Sequence, residues 1–217
     1  MSGTKPAPPA LPIVVTLAFA VLGDSIAYGL GASRTADTVG ARLAAQLTEA
    51  GILVDTRVFA VSGADSRGLA AQVKQATAWR PGLALIIIGA NDLTHFVPAQ
   101  QAALLLGNAV RTLRKAGAEV VVAPAPDLSV VPWCPPQMRP TVQAASHLLR
   151  QEQASAATAA GARIADITAT SATAFTTDPT AMFSADRFHP SSAGYAVITA
   201  ALSATIHEAA SAANTDR

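Results

Sequence analysis

The chain has 217 residues, of which 51% are hydrophobic and 13% are charged, and its formal net charge is +1. This composition supplies enough apolar surface for a large buried core and argues against an intrinsically disordered chain. The near-neutral charge, without a basic cluster, argues against a nucleic-acid partner. The single cysteine, Cys134, excludes an internal disulfide framework.

The N-terminal stretch over residues 6–22 carries no charge and resembles a signal peptide in composition. It runs directly into Gly23-Asp24-Ser25, so cleavage at its end would remove the strand that precedes the serine. It is also slightly short for a membrane span. We therefore predict a flexible tail over residues 1–10, a first strand over 13–22, no stable membrane span and a cytoplasmic protein. A secreted or membrane-associated protein is the alternative.

Strand patterns alternate with helical patterns along the rest of the chain. The further strands are predicted at 54–61, 83–88, 119–123 and 162–167, and the helices at 38–50, 66–79, 98–116, 138–160 and 191–212. Gly117 and Gly161 follow two of the helical patterns, where glycine commonly ends a helix. The alternation predicts an α/β fold, a single domain over residues 11–217 with a five-stranded parallel sheet between two layers of helices.

Parallel sheets of this kind bind ligands at the carboxyl ends of their strands. Ser25 follows the first strand, Gly63 the second and Asn91 the third. In the strand order 2-1-3-4-5 these three residues would lie within about 10 Å of each other. The long loop predicted over 168–190 has the reach to bring His189 to the same place, since extended chain covers roughly 3.3 Å per residue.

These residue types fit acyl transfer by a serine. A serine hydroxyl becomes a good nucleophile only when a base removes its proton. His189 supplies a base, and Asp186, three residues earlier, supplies a carboxylate that would fix its tautomer. The backbone amides of Ser25 and Gly63 and the side-chain amide of Asn91 are candidate donors to the oxyanion that forms on attack.

Four short segments resemble the four conserved blocks of the SGNH hydrolases, also called GDSL lipases or esterases, in the same order and at similar spacing. They are Gly23-Asp24-Ser25, Gly63, Gly89-Ala90-Asn91-Asp92 and Asp186-Arg187-Phe188-His189. The resemblance covers about residues 17–212 and implies a three-layer, flavodoxin-like α/β/α fold. It assigns Ser25 as nucleophile, Asp186 and His189 as its partners, and Ser25, Gly63 and Asn91 as oxyanion donors.

The chain departs from the family pattern at two places. Ile26 stands where leucine is usual, and the asparagine often found shortly before the second block is absent, with Phe59 and Ala60 in that region. The first change keeps an apolar residue at a position that we expect to be buried. The second affects local hydrogen bonding and leaves the chemistry intact.

Several further residues have a structural and a functional interpretation. Substrate contacts are predicted for Tyr28, His95, Trp133 and Arg187, with packing or solvation as the alternative. Ser66 is interpreted as a helix N-cap, and Asp24 and Asp92 as residues that hold turns. The four histidines show no metal-ligand spacing with a carboxylate or thiolate, so we expect no metal and no cofactor.

The leading hypothesis is an esterase, thioesterase or deacylase that acts on small-molecule acyl esters or thioesters through an acyl-serine intermediate. An acyltransferase that passes the acyl group from an acyl thioester such as acyl-CoA to a sugar or other alcohol would use the same residues. An inactive binding module is the third alternative, which the complete set of site residues disfavours. Oligomeric state stays open.

Overall fold

The computed structural model describes residues 16–215 as a five-stranded parallel sheet covered by helices on both faces. The strand order is β2-β1-β3-β4-β5, as predicted. The strands are β1 (Leu17–Gly23), β2 (Val54–Val58), β3 (Leu83–Ile87), β4 (Glu119–Ala123) and β5 (Arg163–Ile164). The predicted tail over residues 1–10 and the start of the predicted first strand lie outside the described residues.

The helices form two layers because alternate residues of β1 point to opposite faces. Leu17, Phe19 and Val21 pack with the helices over residues 39–49 and 192–215, whereas Ala20 and Leu22 pack with those over residues 69–79 and 99–115. The helices are α1 (Ser25–Tyr28), α2 (Val39–Glu49), α3 (Leu69–Trp79), α4 (Ala90–Thr94), α5 (Ala99–Lys115), α6 (Arg139–Ala159), α7 (Ile167–Thr177), α8 (Pro179–Met182) and α9 (Ser192–Thr215).

The prediction of a long loop over residues 168–190 is wrong, because α7 and α8 occupy most of this segment. Asp166 caps α7, and its carboxylate accepts a hydrogen bond from the backbone N–H of Thr168 at 2.9 Å. Ile167 and Phe175 on this helix are buried in the core. The prediction failed because a run rich in threonine and alanine has weak helical signals, and here a cap and tertiary burial decide the conformation.

Three strands are shorter than predicted: β3 ends one residue early, at Ile87, and β2 and β5 differ more. The chain leaves β2 after Val58, where the N–H groups of Phe59 and Ala60 both point to the carbonyl of Val21, at 2.8 and 3.2 Å. β5 has two residues because the N-cap of α7 follows almost at once. The predicted helix ends are confirmed at Gly117 and Gly161, which have φ values of 88° and 91°.

One helix among the described residues, α9, is long and apolar enough to cross a membrane, with a mean hydropathy of 1.2 over its best window. Its buried side chains, including Tyr195, Ile198, Leu202 and Ile206, belong to the core between the sheet and α2. The buried residues of α9, which make up 39% of its most apolar stretch, are therefore accounted for by packing in the core.

Candidate active site

Ser25 stands where β1 turns into the one-turn helix α1. Asp24 is the N-cap of this helix, and its carboxylate accepts the N–H of Ile26 at 2.9 Å. Gly23 before it has a φ of 131°, and a Cβ at this position would lie 1.8 Å from the carbonyl oxygen of Ile87 on β3. Only glycine permits this close approach of the two strands, which places the Ser25 hydroxyl at the carboxyl edge of the sheet.

Gln72 on α3 holds the turn from the side, a role that sequence reasoning missed. Its side-chain amide accepts the N–H of Gly23 at 2.8 Å and donates to the carbonyl of Gly23 at 2.9 Å. Gln72 is 2% exposed and lies on the buried face of its helix. A glutamine on an otherwise apolar helix face was the available signal, because a buried amide requires hydrogen-bond partners.

His189 and Asp186 are brought to Ser25 by the segment between α8 and α9. The Nε2 atom of His189 lies 3.0 Å from the Oγ of Ser25, across 164 positions of sequence. The Nδ1 atom of His189 lies 2.6 Å from the Oδ2 of Asp186. The three predicted residues thus form one continuous hydrogen-bonded line at the end of β1.

The carboxylate of Asp186 is held by its own turn. Its Oδ1 accepts the N–H groups of Phe188 and His189, both at 2.9 Å, and the hydroxyl of Ser184 at 2.8 Å. Burial acts to raise the pKa of Asp186, but the hydrogen bonds from His189, Phe188 and Ser184 outweigh it and lower the pKa. Asp186 therefore remains an acceptor, which makes the Nδ1 of His189 the donor and leaves the Nε2 of neutral His189 free to accept the Ser25 proton. Sequence reasoning missed Ser184.

The candidate oxyanion donors lie on the loops that flank Ser25. The N–H of Ser25 is at the first position of a helix, where it has no intrahelical acceptor. Gly63 is exposed with a φ of 80°, and a Cβ there would have no neighbour within 4 Å. The left-handed backbone at position 63 therefore favours glycine, whereas contacts with the rest of the described protein do not require it.

Asn91 links the turn after β3 to the loop after β2. Its side-chain amide donates to the carbonyl of Ala64 at 2.9 Å, which uses one of the two N–H groups of that amide. The bond fixes the amide next to Gly63, and the second N–H is available to a ligand. Asn91 lies on the short helix α4, directly after β3.

Two carboxylates beneath the site are fully buried. Burial raises the pKa of Asp24 to about 7, and the nearby charge of Asp92 adds to the effect. Burial likewise raises the pKa of Asp92. Asp92 accepts the backbone N–H of Ser66 at 3.1 Å and its hydroxyl at 2.9 Å. Both acids hold turns, as predicted.

The prediction that Ser66 caps the second long helix is wrong. The N-cap position of α3 is Gly68, and Asp65 caps the short 3-10 turn Ser66–Gly68 that precedes it, where the Asp65 carboxylate accepts the N–H of Arg67 at 3.0 Å. The hydroxyl of Ser66 is taken by Asp92 instead. Asp and Ser are nearly equivalent as N-caps, so the choice between the two neighbours rested on the long-range contact with Asp92.

The residues predicted to contact substrate lie on, next to or packed against the segments that carry the candidate site residues. The side chain of Tyr28 is 55% exposed, and Trp133, at 53%, packs on Phe188 with ring centroids 5.3 Å apart. Arg187 has a φ of 58° at the tip of the turn between Asp186 and His189. His95 is bound through its Nδ1 to Asp65 at 2.9 Å.

A small apolar cavity of about 60 Å³ is lined in part by the chain neighbours of Ser25 and His189. Its lining includes Ile26, Phe188 and Pro190, the chain neighbours of Ser25 and His189, together with Phe175 on α7. The ring of Phe188 also meets the imidazole of His189 edge-on at a centroid distance of 4.9 Å. The His189 side of the site is therefore walled by apolar and aromatic groups.

Known proteins share this fold. The structure of TesA matches with a TM-score of 0.73 at 22% identity, over 88% of this chain and 98% of TesA. The psychrotrophic esterase EstA from Pseudoalteromonas sp., in a structure inhibited by monoethylphosphonate, matches with a TM-score of 0.67 at 16% identity, over 88% of this chain and 97% of EstA. The α/β/α architecture predicted from the sequence is thereby confirmed.

Sequence comparison identifies the family of the chain as well as its fold. The GDSL-like esterase Rv1075c of Mycobacterium tuberculosis is 36% identical over 180 residues. The match takes in 82% of this chain but 57% of the relative, so the chain spans little more than half of that protein's length. The family model for GDSL-like lipases and acylhydrolases matches residues 21–197, which include every block quoted above. The chain belongs to the GDSL-like lipase/acylhydrolase family.

Proposed function

We propose that this protein hydrolyses carboxylic esters of small molecules through an acyl intermediate on Ser25. The observation that carries the proposal is the line of hydrogen bonds from Asp186 through His189 to the Ser25 hydroxyl, at 2.6 and 3.0 Å. Both distances are within the range at which a base can take a proton directly. Family membership supports ester hydrolysis independently of this geometry.

In the first half-reaction the Oγ of Ser25 attacks the carbonyl carbon while its proton moves to the Nε2 of His189. The carbonyl oxygen becomes an oxyanion that accepts hydrogen bonds from the N–H groups of Ser25 and Gly63 and from the free N–H of Asn91. The bond to the alcohol oxygen then breaks, and the alcohol leaves with the proton that His189 held. The acyl group remains on Ser25.

Water reverses the sequence in the second half-reaction. His189 takes a proton from water as the water oxygen attacks the acyl carbon, and the Ser25–acyl bond breaks. The proton returns from His189 to the Oγ of Ser25, and a carboxylic acid is released. Asp186 stays ionised throughout, because its hydrogen bonds keep the pKa of its carboxyl low. It stabilises the imidazolium that His189 becomes in both steps.

The alcohol part of the ester belongs on the His189 side, since His189 must protonate it. That side holds the apolar cavity, Phe188 and the half-exposed Trp133. We therefore propose that the alcohol part of the substrate is apolar or aromatic. Aryl esters are suitable first substrates because their alcohol has this character.

A fluorophosphonate probe tests the intermediate directly. We expect stoichiometric labelling of the folded protein, with the added mass located on the peptide that contains Ser25, and hydrolysis of p-nitrophenyl butyrate. Ser25→Ala should abolish both signals while changing the free energy of unfolding by no more than about 1 kcal/mol. Ser62→Ala is the matched control, because Ser62 is an exposed serine on a neighbouring loop.

His189→Ala should label at least a hundredfold more slowly, since general-base catalysis contributes about 10²–10⁴ to such a step. Folded wild-type protein that neither labels nor hydrolyses any ester would overturn the proposal and leave the binding-module hypothesis in its place. Labelling on a serine other than Ser25 would overturn the assignment of the nucleophile.

Transfer of the acyl group to an alcohol is the second candidate function. An acceptor alcohol would bind where the leaving alcohol departs, and the aromatic pair of Trp133 and Phe188 stands beside that position. Partition of the acyl group is the test: glycerol or glucose added during turnover of an aryl ester or acyl-CoA should yield acylated product in a transferase. Free acid as the sole product at high acceptor concentration would identify a hydrolase.

A further inference from the structure

A second carboxylate–histidine pair lies beside the candidate oxyanion donors. The Nδ1 of His95 is 2.9 Å from the Oδ2 of Asp65, an arrangement that parallels the 2.6 Å contact between His189 and Asp186. Asp65 is almost buried, with 8% of its side chain exposed, whereas the side chain of His95 is 45% exposed. Ester hydrolysis as described above makes no use of this pair.

The loop after β2 and the turn α4 place the pair next to Asn91. Three consecutive loop residues are bound by α4: the carbonyl of Ala64 by Asn91, the carboxylate of Asp65 by His95, and Ser66 by Asp92. The backbone N–H of His95 donates to the carbonyl of Asn91 at 2.8 Å. His95 therefore follows Asn91 by one helical turn and lies on the same side of α4.

The charge state of Asp65 determines which ring nitrogen of His95 carries the proton. Hydrogen bonding by the guanidinium of Arg67 is the main cause that lowers the pKa of Asp65; burial opposes it, and His95 adds to the lowering. An ionised Asp65 can only accept, so the Nδ1 of His95 is the donor. In neutral His95 the Nε2, across the ring from the nitrogen that contacts Asp65, then carries a lone pair. The half-exposed side chain thus offers a hydrogen-bond acceptor.

The backbone after His95 is strained. Phe96 has a φ of 54°, in the left-handed region that a bulky side chain rarely adopts, and it is 90% exposed. The turn is closed by the N–H of Val97, which donates to the carbonyl of Asp92 at 2.8 Å. A strained turn that holds an aromatic ring in solvent next to a candidate active site is typical of a ligand-contacting segment.

We propose that His95 binds a hydroxyl group on the acyl part of the substrate and thereby selects hydroxyacyl esters. The inference rests on the proposed ester hydrolysis. The leaving alcohol occupies the His189 side and the oxyanion lies between Ser25, Gly63 and Asn91. The acyl chain therefore extends to the remaining side of the site, where His95 lies. A hydroxyl on that chain can donate to the Nε2 of His95, while Phe96 offers an apolar surface to the adjacent carbon atoms.

Two esters that differ by one hydroxyl test the proposal. The kcat/KM values of p-nitrophenyl 3-hydroxybutyrate and p-nitrophenyl butyrate are measured on the wild-type protein, and each is divided by the alkaline hydrolysis rate of that ester. We expect the corrected ratio to favour the hydroxy ester about tenfold, the effect of one net hydrogen bond. In His95→Phe this ratio should fall close to one. His147→Phe, on an exposed histidine of α6, should keep the wild-type ratio.

The ratio distinguishes recognition of the substrate hydroxyl by His95 from a purely structural role of this residue. If His95 only braces the loop against α4, its replacement lowers turnover of both esters in proportion and the ratio is unchanged, which overturns the proposal. His95→Gln retains an acceptor oxygen and should keep part of the preference. A wild-type ratio near one overturns the inference while ester hydrolysis stands. Failure of the wild-type protein to hydrolyse either ester overturns the proposed function as well.

Discussion

Gly31 packs directly against the turn that carries His189. A Cβ on Gly31 would lie 3.0 Å from the Cβ of His189 and 2.5 Å from the carbonyl oxygen of Pro190. Gly31 follows α1, and the preceding carbonyl of Leu30 accepts the hydroxyl of the buried Tyr195 at 2.8 Å. The segment after the candidate nucleophile thus serves as the support on which the candidate base rests.

Gly31→Ala should lower kcat on an aryl ester by tenfold or more with a smaller change in KM, because the added methyl group displaces His189 from Ser25. The φ of 94° adds a backbone cost of about 1–2 kcal/mol in unfolding free energy. Gly51→Ala is the matched control, since Gly51 has a φ of 85° and no atom within 4 Å of its would-be Cβ. Equal activity of the two variants would contradict the supporting role of Gly31.

Gln72→Leu should destabilise the protein and reduce its activity together. It leaves the N–H of the buried Gly23 without its partner and removes one of the two hydrogen bonds to the Gly23 carbonyl, which keeps the N–H of Val61, at a cost of about 1–3 kcal/mol. Urea unfolding and ester hydrolysis measure the two effects. Gln75→Leu, at an exposed position of the same helix, should change the unfolding free energy by less than about 0.5 kcal/mol. Similar stability of both variants would show that the contacts of Gln72 with Gly23 contribute little.

Asn91→Ala should lower kcat by about 10²–10³ with little change in KM, since it removes a donor that acts mainly on the oxyanion. It also frees the carbonyl of Ala64. Asn108→Ala, an exposed asparagine on α5, is the control. A change confined to KM would indicate that Asn91 binds the substrate ground state and the transition state equally well.

The stability of the protein should depend on pH through Asp24. The folded pKa is about 7, whereas an unfolded aspartate titrates near ~3.9. Between these values the folded protein keeps a proton that the unfolded chain has released, so the contribution is complete below about pH 4 and is lost as pH rises through 7. The unfolding free energy should therefore fall over this window by an amount on the order of a few kcal/mol.

Asp24→Asn isolates this contribution, because an amide has the shape of the protonated acid and cannot ionise. Urea unfolding of both proteins at pH 4.5, 6 and 7.5 is the measurement. We expect the variant to gain stability relative to the wild type as pH rises, while the contributions of the histidines largely cancel in the difference. Parallel stability profiles would contradict a raised pKa for Asp24.

The sequence by itself predicted the alternating α/β architecture and, through its resemblance to a known family, the family, the strand order and candidate site residues that the structure brings together. The apolar runs of β3 and β4 are buried on both faces, and that burial is visible as composition. Gly23, Gly63 and Gly89 mark strand ends where the backbone has a positive φ, and local turn chemistry is encoded by adjacent residues. Ser25 could be predicted as a site residue because it follows the first apolar run, and His189 because it stands in one block with Asp186.

Tertiary structure alone decided the contacts between distant side chains. Gln72 reaches Gly23 across 49 positions, and His95 reaches Asp65 across 30. Such pairs depend on how α3 and α4 pack around the end of β1, which no local periodicity encodes. The conformation of α7 depended in the same way on burial of Ile167 and Phe175. Short-range patterns specify elements and turns, whereas the packing of those elements selects the partners of each polar group.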